Sequence, residues 1–117
     1  MYATVPSTVP GVVCCADVAA SASLAVAGMD GCPEFEAMSW GDQQTLDTAK
    51  LQAETVGVAK ALIEREASIG AILLECSLLP PYAAAVQSAT GLPVFDFTHL
   101  VTLVHDACAR QPFHGLT

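Results

Sequence analysis

The chain has 117 residues, 53% of them hydrophobic and 14% charged, with a net charge of −8 at pH 7. That length holds one domain with a real core, and so apolar a composition excludes a disordered tail. Four Lys and Arg against 12 Asp and Glu exclude a phosphate-gripping surface, so nucleic acid is not an expected partner.

Residues 1–10 are rich in Pro, Ser and Thr and read as a flexible lead-in or an extended arm, leaving residues 11–117 as a single lobe. Gly11-Val12-Val13-Cys14-Cys15-Ala16 is a short apolar run between Pro10 and Asp17, the pattern of a buried parallel strand. Asp17 is placed to cap a helix of small residues from Val18 to Ala27, closed by Gly28. Met29 to Pro33 reads as a loop, and Glu34 to Trp40 as irregular or weakly extended. From Asp42, a plausible N-cap, Leu46, Ala49, Ala53, Val56, Ala59 and Ile63 recur at three- and four-residue steps, the stripe of an amphipathic helix ending near Glu66. Gly57 either weakens that helix or lets it approach a sheet closely. A strand from Ala71 to Glu75 follows, then a helix from Pro81 to Ala89 ended by Gly91, and a strand from Pro93 to Phe97. A last helix starts at Thr98, with Leu100, Val101, Val104 and Cys108 on its inner face.

Strands alternating with helices predict an α/β fold, a three-layer lobe with a short parallel β-sheet flanked by helices. Ligands of such sheets bind beyond the carboxyl ends of the strands. Ala16-Asp17, Cys76-Ser77 and Asp96-Phe97-Thr98 all fall at such ends. Five cysteines cannot all pair within one chain, and they show neither a C-x-x-C motif nor a Cys/His cluster at zinc spacing. The first basic residue is Lys50, which gives no charged leader region, and no apolar run is long enough to cross a bilayer. The expectation is a cytoplasmic protein with reduced cysteines, no metal and no membrane partner.

The most informative stretch is Glu75-Cys76-Ser77-Leu78-Leu79-Pro80-Pro81-Tyr82, set between Ala71-Ile72-Leu73-Leu74 and Leu92-Pro93-Val94-Phe95-Asp96-Phe97. A thiol where a buried strand ends and a proline-started helix begins lies near helix-end amides, which favour thiolate. The tract from Gly70 to Phe97 resembles the C-terminal lobe of the aspartate/glutamate racemase superfamily, and Gly28-Met29-Asp30-Gly31-Cys32-Pro33-Glu34-Phe35 is similar to the loop that crosses into that lobe. The resemblance implies half of a racemase fold, flavodoxin-like, with no counterpart here to the family's N-terminal lobe. It implies a cofactor-independent, racemase-like isomerase working at a carbon α to a carboxylate, with Cys76 as the catalytic thiol. Ser77, with the amides after Cys76, would hold the substrate carboxylate, and Asp17 and Thr98 would complete the binding rim. Leu78 stands where amino-acid racemases of the group carry a polar residue, which points to the branches similar to hydantoin racemase or arylmalonate decarboxylase.

The competing expectations are a non-catalytic lobe that binds a small carboxylate or only assembles, and a decarboxylase using a single cysteine. A homo-oligomer, or a separate N-terminal lobe, is the expected macromolecular partner. Each residue also has a plainer reading. Cys76 can be a small buried hydrophobe, Ser77 a helix cap, Asp96 the cap of the last helix, Tyr82 a packing residue and Cys32 an exposed loop thiol. His99 can serve as an acid/base partner or lie idle on the surface. Glu75, at the inner end of a strand, calls for a paired donor that the sequence does not identify.

Overall fold

The computed structural model describes residues 2–3, 24–40, 45–112 and 115. The strand expected over residues 11–16, Cys14, Cys15, Asp17, Asp42 and His114 lie outside the described residues.

The fold is α/β, a small three-layer lobe with a short parallel pairing flanked by helices. Among the described residues a four-stranded sheet runs in the order β2-β1-β3-β4. Its members are β1 (Tyr2–Ala3), β2 (Ala25–Val26), β3 (Ile72–Leu74) and β4 (Val94–Asp96). Tyr2 and Ala3 thus lie between two neighbours, and β1 is antiparallel to both β2 and β3. β3 and β4 are parallel, with Ile72 opposite Val94 and Leu74 opposite Asp96. Because β2 and β3 both oppose β1, they point the same way, and the carboxyl ends of β2, β3 and β4 open on one rim.

Two expectations before residue 41 are corrected. The helix expected from Val18 to Ala27 does not reach its expected end: Ala25 and Val26 pair with β1, and Arg65 donates from Nη2 to the Val26 carbonyl at 2.9 Å, while residues 18–23 lie outside the described residues. The stretch expected to be irregular is a helix, α1 (Pro33–Trp40). Pro33 at its first position and Glu34 and Glu36 in its first turn suit a helix start. The decisive cap comes from elsewhere in the chain: the Glu54 carboxylate accepts the Glu34 and Phe35 amides, each at 2.9 Å. A cap 20 residues away in sequence leaves no local signal.

The long helix is α2 (Thr48–Arg65), capped by Asp47, whose side chain accepts the Lys50 amide at 3.1 Å. Its inner face is Leu51, Thr55, Ala59 and Leu62, so the expected stripe is turned: Leu46, Ala49 and Ala53 are exposed. Thr55 tolerates burial because its hydroxyl donates to the Leu51 carbonyl at 2.7 Å. A Cβ at Gly57 would meet nothing within 4 Å, so this glycine does not serve close packing.

After β3, a 3₁₀ turn (Pro80–Tyr82) leads into α3 (Ala83–Thr90), closed by Gly91 in the left-handed region at φ 70°. Last comes α4 (Phe97–Cys108). The core lies between the helices and one face of the sheet. Ala25, Ile72, Leu74 and Val94 meet Leu51, Leu62, Leu79, Tyr82 and Val86, and each large apolar side chain so covered contributes about 1.5–3 kcal/mol. Tyr82 is therefore a packing residue. The alternate residues Val26, Leu73 and Phe95 lie half-exposed on the other face. The inner face expected on α4 is not covered: no residue of that helix is buried. No helix among the described residues is long and apolar enough to cross a membrane.

Candidate active-site rim

Cys76 sits two residues beyond Leu74, the last residue of β3, and Thr98 two beyond Asp96, the last of β4. Leu74 and Asp96 are register partners, so the rim brings Cys76, Ser77 and Thr98 to neighbouring strand ends about 4.8 Å apart. The loop from Ala27 to Cys32 leaves the carboxyl end of β2 on the same rim. Two of the three expected strand ends converge here, and the third, at Asp17, lies outside the described residues.

Cys76 is half-buried against the core and is a free thiol. Its carbonyl accepts the Leu79 amide at 3.1 Å, closing a turn over Ser77 and Leu78. The Leu79 carbonyl then accepts the Tyr82 amide at 2.9 Å, which winds the chain into the 3₁₀ turn. The helix start is thus Pro80, four residues past the thiol, with Leu79 at the cap position and no side-chain cap bond. Ser77 is exposed and is not the helix cap. Among the described residues, the amides of Ser77 and Leu78 donate to no protein acceptor, so two N–H groups and a hydroxyl stand beside Cys76.

Asp96 joins strand to helix with no intervening residue. Its Oδ1 accepts the Thr98 amide at 2.8 Å and also the Thr98 hydroxyl. The Asp96 amide in turn donates to Nδ1 of His99 at 3.3 Å, which completes a reciprocal capping box. Burial pushes the Asp96 carboxyl up, but the two Thr98 hydrogen bonds, with His99 beside them, outweigh it and hold the carboxyl below the usual aspartate range. Both Thr98 donors are committed to this cap. The capping reading of Asp96 therefore holds, and His99, absent from the expected site set, enters the rim as its partner.

Cys32 is half-buried on the same core. Burial pushes its thiol up, and the nearby carboxylates of Glu54, Glu36 and Asp30 push it further in the same direction. It is a protonated thiol near neutral pH and a poor base. Glu75 is exposed, so the donor that burial would have required is not needed. Among the described residues no group of three or more His, Cys, Asp or Glu could hold a metal ion.

No protein-family model matches this chain. No solved structure matches it either. Over 91 residues, 78% of the chain, it is 36% identical to dimethylsulfoniopropionate lyase 5 of Emiliania huxleyi (strain CCMP1516), of which the match covers 18%. It is 44% identical over 69 residues, 56% of the chain, to a dimethylsulfoniopropionate lyase of Durusdinium sp. clade D, covering 22% of that protein. Dimethylsulfoniopropionate lyase 7 of Emiliania huxleyi is 41% identical over 75 residues, 61% of this chain and 21% of that protein. The matched part of this chain spans about a fifth of the length of these relatives. The 91-residue match leaves 26 of the 117 residues outside it, so it includes residues 27–91, and with them Cys76 and Ser77, wherever it begins. The racemase resemblance is corrected by these relatives: they are named lyases, and neither an isomerase nor a decarboxylase reading matches them. Its residues misled for a physical reason: a strand-end thiol beside amides that no described residue engages fits any removal of a proton next to a carboxylate, and it does not specify what leaves afterwards.

Proposed function

We propose that this chain supplies the thiol-bearing rim of a lyase acting on dimethylsulfoniopropionate or a close analogue, a small carboxylate with a sulfonium on its β-carbon. The observation that carries this reading is the 36% identity to a lyase of that name over a stretch that must include Cys76 and Ser77. Cys76, as thiolate, takes the proton from the carbon α to the carboxylate. The C–H electron pair becomes the new C=C bond, the C–S pair leaves with sulfur, and the products are dimethyl sulfide and acrylate. The leaving group departs neutral and needs no protonation. A rim with one suitably placed thiol therefore suffices, and Cys76 afterwards returns its proton to water. The amides of Ser77 and Leu78 and the Ser77 hydroxyl receive the carboxylate, where negative charge builds as the proton leaves. Thr98 walls the site, its own donors being held by Asp96. A reducing, cytoplasmic setting suits a working thiol.

Assembly belongs to the same reading. α4 leaves Leu100 63% and Leu103 68% exposed, and a second copy of the chain or a separate lobe would cover that surface.

The test is release of dimethyl sulfide from dimethylsulfoniopropionate, followed by gas chromatography of the headspace. Cys76→Ala is expected to lower the rate by about a hundredfold or more, the usual scale for losing a positioned base. Ser77→Ala should raise KM more than it lowers kcat. A wild-type chain that releases no sulfide, or a Cys76→Ala chain that keeps its rate, refutes the reading.

A further inference from the structure

We propose that two copies of this chain close on each other by exchange, the α4 helix of each lying on the outer sheet face of the other. This rests on the assembly part of the reading above, and not on the lyase chemistry, and it names the two surfaces that meet.

The sheet has one covered face and one bare face. Val26, Leu73 and Phe95 are the half-exposed residues of the bare one. They form a row: Leu73 is the register partner of Phe95, and Val26 and Leu73 both stand opposite Tyr2. Parallel pairs such as β3 and β4 are normally covered by helices on both faces. α1, α2 and α3 all contribute to the core, through Phe35, Leu51 and Val86, which leaves α4. In α4 the exposed residues Phe97, Leu100, Val101 and Val104 share one side, with Thr102 and Asp106 on the opposite side. Asp96 sets the direction in which α4 leaves β4, through its bonds with Thr98 and His99. In that pose the His99 ring meets the Phe95 ring edge-on, with centroids 5.9 Å apart, so helix and sheet face are contiguous there. Neither covers the other: Leu73 and Phe95 stay half-exposed, and no residue of α4 is buried.

Area supports a specific pairing. The seven residues together expose about 650 Å² per copy, at the upper limit of the apolar patch that a monomer leaves bare. A reciprocal pair would cover about 1,300 Å² in all, inside the range of specific, stable interfaces. The occupant follows from the count of surfaces. Each copy owns one bare sheet face and one bare helix, and a two-fold axis satisfies all four at once. No residue from Phe97 to Val104 carries a full charge, in a chain of net charge −8, so the stripe gives a charged partner nothing to pair with.

Sedimentation equilibrium of the 117-residue chain at micromolar concentration should give two copies. Leu100→Lys on the helix and Leu73→Glu on the sheet should each raise the dimer Kd by about tenfold or more, because a symmetric pair buries every substitution twice. Mixed in equal amounts, the two variants should dimerise with each other. One half of their interface is then unaltered, and the other sets the new ammonium against the new carboxylate. Circular dichroism checks each fold, and Val26→Glu takes the place of Leu73→Glu if that variant unfolds. A monomeric parent overturns the exchange and the assembly reading together. A dimer split by the helix or the sheet substitution alone, or by neither, overturns the exchange and leaves assembly standing. So do two variants that stay monomeric when mixed. The size measurement needs no substrate, so sulfide release decides the lyase separately.

Discussion

α2 and α4 both carry apolar residues at helical spacing, yet they end in opposite surroundings. In α2 the stripe Leu51, Thr55, Ala59 and Leu62 is buried against the sheet and α3, even though it includes a hydroxyl. In α4 the richer stripe Phe97, Leu100, Val101 and Val104 is exposed throughout. Periodicity thus tells which face of a helix seeks cover, and says nothing of whether this chain provides it. α2 is tied to neighbours along its length, by the Asp47 amide on Glu34 at its cap, by Glu54 capping α1 and by Arg65 on β2. α4 follows the last strand, and the sheet edge offers it little to pack against.

The sharpest way to break that contrast is truncation within each stripe. Leu62→Ala should cost about 2–5 kcal/mol in urea unfolding, the range for a large buried aliphatic. Leu103→Ala should stay within about 0.5 kcal/mol, as exposed substitutions do. Comparable costs at the two positions would mean that α4 is covered in solution. Light scattering at micromolar concentration then identifies the cover. An assembly of two or more copies, split by Leu100→Lys, is the expected result, and a clean monomer removes the argument from exposed apolar surface.

A smaller effect distinguishes the two caps. Asp96→Ala should cost about 1 kcal/mol, and Asp47→Ala, at a cap open to solvent, should be the milder of the two. The Asp96 carboxyl is held below its unfolded value, so its contribution is complete above the ordinary aspartate pKa of about 3.9 and disappears as pH falls through the lowered folded value. Acid titration followed by circular dichroism should show α4 losing helicity in that window. Asp96→Asn, which still caps but does not titrate, should flatten the curve. A wild-type profile without that acid limb would show that the cap bonds do not form in solution. The smallest change tests the exposed back of α2: Gly57→Ala should stabilise by about 0.5–1 kcal/mol, because the added methyl meets nothing and helix propensity rises. A loss of stability instead would place a neighbour against Gly57.

The alternating order from Ala71 onward was legible because each element there carries its own punctuation. Pro80-Pro81 starts a turn, Gly91 ends a helix, and Asp96 both ends a strand and caps the next helix. The error on α1 came from a cap supplied by Glu54, far away in sequence. The turned stripe of α2 came from counting Ala49 and Ala53 as core and passing over Thr55, whose hydroxyl satisfies itself on the helix backbone. β1 was hidden by its length, since two residues hold no alternation to read. At the rim, Cys76 and its neighbours announced a thiol at a strand end. Which group leaves from the substrate is not a property of those residues, and the racemase inference failed there.

The junction at Asp96 leaves no slack. β4 ends and α4 begins on consecutive residues, and the same carboxylate that closes one holds the first turn of the other through Thr98. A hinge needs backbone that can turn without breaking bonds, and here there is none. Any body that tilts α4, a second subunit included, therefore shifts Phe97, Thr98 and His99 with it, and assembly and the shape of the rim are mechanically one variable.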